Sequence, residues 1–192
     1  MSDIQNKAII DLFLELVAID SPSGHEERVR IFILNYLEKK GVKSCVDARG
    51  NIVAYISEEY KERAILFASH IDTVPNAINV KPIVTDEYIC TDETSALGAD
   101  NKAAVASMLY AIDTLQEMKG EIDPVVYLFS VSEETGLDGV KELDDKTKKR
   151  LTKFTRRFFY PKLRLILRAN AFRRRVPVRV SNLIEFCVYQ LT

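Results

Sequence analysis

Apolar side chains recur at helical spacing at Ile9, Leu12, Phe13, Leu16 and Val17, which predicts an amphipathic helix over residues 4–19. Asp20-Ser21-Pro22-Ser23-Gly24 ends it in a loop. Val29, Phe32, Ile33, Tyr36 and Leu37 mark a second helix. Glu26 and Glu27 in its first turn, Lys39 and Lys40 at its end and Gly41 beyond suit the helix dipole and a glycine C-cap. Residues 43–47 and 51–57 are predicted as strands of a hairpin around Arg49-Gly50. Ala64–Ala68 is a continuous apolar run, predicted as a strand buried on both faces, and it leads straight into His70. A shorter strand is expected over residues 83–90 and a helix from Lys102 to Met118, with Val105, Met108, Leu109 and Ile112 on one side. Val125–Val131 is a second buried strand, running into Glu133. This order predicts an α/β fold, a three-layer α/β/α sandwich on a mixed sheet.

A length of 192 residues suits one domain. A hydrophobic content of 47% and a charged content of 29% suit a soluble globular chain. No apolar stretch approaches the ~20 residues that span a bilayer, and the start, Met1-Ser2-Asp3-Ile4, has no secretory pattern. Cys45, Cys90 and Cys187 lie far apart with no C-x-x-C pair, as expected of reduced thiols in a cytoplasmic protein.

The net charge of −1 conceals an asymmetry. Residues 1–145 hold 13 basic and 27 acidic side chains, and residues 146–192 hold 14 basic ones and a single acid, Glu185. All seven glycines lie at or before Gly139, so the last 53 residues have none for turns and helix ends. The chain therefore changes character between about Val140 and Lys148, and two segments are expected: 1–145, and a basic, glycine-free tail at 146–192.

Three clusters stand where strands end or a helix begins: His70-Ile71-Asp72, Gly98-Ala99-Asp100-Asn101-Lys102 and Ser132-Glu133-Glu134-Thr135. They offer an imidazole and four carboxylates, the donor types of hard or borderline divalent cations, in the place where open α/β sheets carry their chemistry. His70 and Asp72 share one side of an extended chain, so one can bind a metal while the other supports it. Asp100 taken alone reads as a helix N-cap, yet Gly98-Ala99 before it suggests a close backbone approach and a carboxylate able to bridge two cations. Glu133 and Glu134 taken alone read as a solvated loop. In a metal site one would ligate while the other takes a proton from an activated water, and Gly136 and Gly139 would allow the tight turn beyond. Lys102 is close enough in sequence to tune Asp100, and His25 is expected at the surface.

These stretches resemble the co-catalytic zinc exopeptidase and deacylase family, which includes peptidase T, glutamate carboxypeptidase, dipeptidases and the deacylases of amino-acid biosynthesis. The resemblance runs over Ser69–Val74, Leu97–Lys102 and Ser132–Gly136, together with Leu16–Ser21, and covers roughly residues 5–145. Thr91-Asp92 through Lys102 and Gly136–Lys141 look closest to the peptidase T-like branch. The resemblance implies a zinc-exopeptidase-like sandwich with two Zn2+ in a complete site. His70 would be a terminal ligand of one ion, Asp100 the bridge and Glu134 a terminal ligand of the second. Glu133 would be the general base, Asp72 would orient His70, and the Asp100–Asn101 peptide would be cis. The implied activity is hydrolysis of short peptides, of amino- or tripeptidase type. The alternatives are an N-acyl amino-acid deacylase and a non-catalytic fragment whose basic tail binds polyanions. Neither a membrane nor nucleic acid is expected as a partner.

The resemblance also implies an acidic ligand shortly after the paired glutamates and a second histidine further on. This sequence has Arg156-Arg157-Phe158-Phe159 where the acid is due, and no histidine after His70. The family's lid and dimerisation domain has no counterpart in the 47 residues of the tail. The catalytic domain is thus expected to be incomplete, with weak zinc binding and impaired activity. Arg173-Arg174-Arg175 suits an arm for acidic surfaces, but loss of glycine, acids and motifs together points to a change of reading frame near Asp145-Lys146. Translating the gene's other frames past codon 145 tests this: a downstream metal-binding acid is expected, and its absence from both frames removes the frame change as the explanation.

Overall fold

The computed structural model describes residues 3–56, 64–148, 151 and 178–179. In chain order the elements are α1 (Asp3–Val17), α2 (Glu27–Lys39), β1 (Lys43–Val46), β2 (Ile52–Tyr55), β3 (Ile65–His70), β4 (Pro82–Val84), β5 (Tyr88–Thr91), α3 (Ala99–Tyr110), α4 (Ile112–Glu117), β6 (Val125–Ser130), α5 (Asp138–Lys141) and β7 (Val178–Arg179). The main sheet is mixed and runs β1-β2-β6-β3; β3 is parallel to β6 and the other pairs are antiparallel. A smaller sheet runs β4-β5-β7. The architecture is the expected α/β fold on a mixed sheet. Among the described residues no helix is long and apolar enough to cross a membrane.

Strand alternation sorts the apolar side chains of the main sheet into two layers. Ile52, Ala54, Tyr127 and Phe129 join the larger core with Phe13 of α1, Ile33 of α2 and Leu109 of α3. Val53, Val126 and Leu128 face the opposite way, toward Leu143 and Leu151. β6 lies between β2 and β3 and is buried at all six positions. Its Tyr127 meets Phe67 and Phe129 edge-to-face, with ring centroids 5.9 Å apart in both pairs, an arrangement aromatic quadrupoles favour.

Three expectations need correction. β3 is not buried on both faces: its first residue, Ile65, is 39% exposed, and only Ser69 and His70 at its end are buried. β3 is bonded to β6 alone among the described strands, so apolar composition reported a strand without reporting its place in the sheet. Residues 83–90 form not one strand but the β4–β5 hairpin, because Thr85-Asp86-Glu87 is a polar turn closed by Thr85 N–H donating to Tyr88 O at 2.8 Å. The single helix expected from Lys102 to Met118 is divided at Ala111 into α3 and α4. Regular helical backbone does begin at Lys102, since Asp100 and Asn101 have non-helical angles.

The expected tail, 146–192, is described only at Lys146–Lys148, Leu151 and Val178–Arg179. The strand end at residue 57 and the readings of Arg156–Phe159, Arg173–Arg175, Glu185 and Cys187 lie outside the described residues.

Because Phe129 is fully buried at the centre of the sheet, Phe129→Ala is expected to cost about 3–5 kcal/mol of stability. Urea unfolding checks this: the midpoint falls while the denaturant slope stays that of the wild-type chain.

Candidate metal centre

Parallel pairing sets His70 opposite Ser130, so β3 and β6 end side by side. The residues just past both ends therefore share one edge of the sheet, the usual place for chemistry in such folds. Gly98 brings the third segment in. Its φ is +71°, and a Cβ there would lie 3.2 Å from Thr73 Cγ2, so a side chain would crowd the Thr73 side chain next to Asp72. The Asp100–Asn101 peptide that follows is cis.

This arrangement gathers His70, Asp100 and Glu134: each offers one ligand atom, and the three atoms lie within 4.8 Å of one another. His70 Nε2 is 3.1 Å from Asp100 Oδ1 and 3.9 Å from Glu133 Oε2. His70 is buried, while Asp100, Glu133 and Glu134 are partly open to solvent. An imidazole with two carboxylates is a donor set that fits a borderline dication such as zinc.

Asp72 has no solvent exposure. Its Oδ1 accepts from Glu133 N–H at 3.0 Å, and its Oδ2 accepts from Glu134 N–H at 3.0 Å and Ser23 Oγ–H at 2.7 Å. It meets His70 in two ways: Nδ1 is 3.0 Å from the Asp72 backbone carbonyl and 3.4 Å from Oδ1. Nδ1 thus has the Asp72 backbone carbonyl as its nearer partner and the carboxylate at longer range, and that carboxylate also holds the paired glutamates.

Two further residues reach this turn, and sequence reasoning did not single them out as part of the site. Asn51 is fully buried; its Oδ1 accepts from Val131 N–H and its Nδ2 donates to Gly139 O, both at 3.0 Å. Glu26 is buried, and its Oε1 accepts from Ser132 N–H at 3.1 Å. An asparagine after Arg49-Gly50 reads as a hairpin residue and an acid at a helix start reads as dipole compensation, so neither carries a local signal of this contact. Gly139 serves close packing rather than a turn: a Cβ there would lie 2.1 Å from Val131 O.

Lys102 is also buried, and its ammonium donates to Ile19 O, away from the expected tuning of Asp100. Burial lowers its pKa to about 8, against a smaller opposing effect of Asp20. His25 is exposed, as expected.

Burial acts to lower the pKa of the His70 imidazole, but hydrogen bonds to Asp100 and Asp72 and their charges outweigh it and raise the value to about 10. Burial acts to raise Asp72, and its hydrogen bonds to His70, Ser23 and the two glutamate N–H groups lower it on balance. Glu134 is raised by burial and by the nearby acids, with His70 opposing.

The model of peptidase family M20/M25/M40 matches residues 66–168, more than half of the chain. The chain belongs to this peptidase family. A tripeptidase from Staphylococcus aureus is 35% identical with a TM-score of 0.67, covering 74% of this chain and 40% of that one. The aminopeptidase PepT from Bacillus cereus is 32% identical with a TM-score of 0.68, covering 73% of this chain and 40% of that one. The uncharacterized protein YqjE of Bacillus subtilis is 36% identical over 149 residues, 73% of this chain and 40% of that protein. This M20-family chain thus spans about 40% of the length of these relatives.

In the metal-free protein the His70 pKa is raised from 6.5 to about 10. The stabilisation it brings is fully present below pH 6.5 and is lost as pH rises through about 10. The stability gap between wild type and His70→Gln, read from urea midpoints in chelator, is therefore expected to narrow across that range. A gap that does not change with pH would remove the ion-paired imidazolium.

Proposed function

We propose that this chain is the N-terminal part, residues 1–145, of the catalytic domain of a metal-dependent peptidase that hydrolyses short peptides, followed by a non-native basic continuation at 146–192. The observation that carries the reading is the convergence of His70, Asp100 and Glu134 donor atoms to within 4.8 Å from three separate segments. Similarity to a tripeptidase and to PepT favours peptides over N-acyl amino acids. A cytoplasmic location follows from the scattered cysteines and remains part of the same reading.

In the proposed site His70 and Glu134 would each hold one zinc ion and Asp100 would face both. Bound zinc supplies Lewis-acid polarisation of the scissile carbonyl and a water of lowered pKa. Glu133, whose Oε2 lies 3.9 Å from His70 Nε2, would be the general base, taking the proton of the attacking water and returning it to the leaving amine. Asp72 fixes both glutamates through their N–H groups and abuts His70, which restrains base and ligands together.

Among the described residues the donors would give each of two ions Asp100 and one terminal ligand, fewer than the three protein ligands usual for catalytic zinc. The 192-residue chain by itself is therefore proposed to bind zinc weakly and to turn over little.

Elemental analysis after zinc loading and dialysis, alongside a di- and tripeptide hydrolysis assay with an N-acyl amino acid for comparison, tests the reading. Less than two zinc per chain is expected, falling further in His70→Ala and Glu134→Gln. Glu133→Gln should keep the zinc and lose whatever turnover the wild type has, by roughly 100-fold or more. Two firmly held zinc ions with robust turnover would overturn the incomplete site, and zinc content indifferent to His70 and Glu134 would overturn the ligand assignment.

A further inference from the structure

Ser132 is the hinge between β6 and the paired glutamates, and its φ is +53°, uncommon for a residue with a Cβ and kept only where the surroundings enforce it. The enforcing group is the Glu26 carboxylate, 106 positions earlier. One oxygen, Oε1, accepts from Ser132 N–H at 3.1 Å, from Ser132 Oγ–H at 3.1 Å and from Gly24 N–H at 2.9 Å. Glu26 is only 6% exposed, an unusual burial for an acid at the start of a helix. Its carboxylate also ties Ser132 to the Ser23-Gly24 loop, whose Ser23 hydroxyl donates to Asp72 at 2.7 Å. Glu26 and Asp72 thereby grip three successive N–H groups, those of Ser132, Glu133 and Glu134.

The geometry points to Glu26 as a positioning residue that sets the backbone of the paired glutamates, and so the aim of the Glu134 ligand and the Glu133 base. It makes no hydrogen bond or ion pair with either of those side chains; it acts through the left-handed turn at Ser132. The inference rests on the roles proposed for Glu133 and Glu134.

Glu26→Ala removes the acceptor, and Glu26→Gln keeps a carbonyl oxygen in the same place. Amide exchange of the metal-free protein reads the turn directly. In Glu26→Ala, exchange at Ser132–Glu134 is expected to rise by roughly tenfold or more while the protected amides of α1 and β6 change little. Zinc affinity, measured by competition with a chromophoric chelator, should weaken by roughly 10–100-fold per folded molecule, the range for lost support of a ligand. Glu26→Gln should restore most of both effects, and it carries the test if the alanine variant does not fold: wild-type-like exchange and affinity support positioning, and even loosening across the fold overturns it. Unchanged exchange at Ser132 in Glu26→Ala, or loss spread evenly over the core, overturns it as well. Glu134→Gln separates the two readings. If it leaves zinc affinity unaltered, the ligand assignment fails, while the exchange data still decide whether Glu26 holds the turn.

Discussion

Beyond Ser130 the chain leaves the sheet, and the backbone N–H groups of Val131, Ser132, Glu133 and Glu134 lose the neighbours that a strand would offer. A buried N–H without an acceptor costs about 1–3 kcal/mol, so a bare turn would not stay at this depth. Each of the four instead donates to a side-chain oxygen: Asn51 Oδ1, Glu26 Oε1, Asp72 Oδ1 and Asp72 Oδ2, all at 3.0–3.1 Å. The acceptors come from the β1–β2 hairpin, the start of α2 and the segment after β3. The placement of two glutamates thus depends on three distant parts of the chain, and the candidate metal centre holds its shape only when the whole sheet edge is assembled.

The same economy of acceptors shapes the charge of the site. Asp72 is completely buried, yet hydrogen bonds from Ser23 and two backbone N–H groups, with the His70 imidazole alongside, keep its carboxyl ionised. Asp72 and Asp100 then press His70 toward its protonated form, and burial with neighbouring acids presses Glu134 the same way. Without metal, protons balance the crowd of carboxylates. A dication entering this group would replace protons, which couples ion binding to pH.

Much of this was legible in the sequence wherever an apolar run met a polar cluster. The strands leading into His70 and Glu133, the helix beginning at Lys102 and the hairpin turn at Gly50 all follow from periodicity and turn chemistry. The exposure of Ile65, the break at Ala111 and the β4–β5 hairpin did not follow, because each is decided by which element lies next door. Glu26 and Asn51 were invisible for a related reason: their local contexts already explain them as a helix-start acid and a turn residue. Their partners, Ser132 and Val131, are some 80 to 106 positions away.

By itself the sequence determined the α/β class, the order of the main helices and central strands, and the three clusters that name the chemistry. Those depend on side-chain type and short-range spacing, which a strand or helix translates directly into geometry. Only the tertiary structure decided that His70, Asp100 and Glu134 converge within 4.8 Å, and that the Asp72 carboxylate holds the glutamate backbone while its own backbone carbonyl meets the imidazole. Those depend on the parallel register of β3 and β6 and on the close approach at Gly98, contacts between segments far apart in the chain. A pattern read along one segment carries no record of what that segment will be packed against.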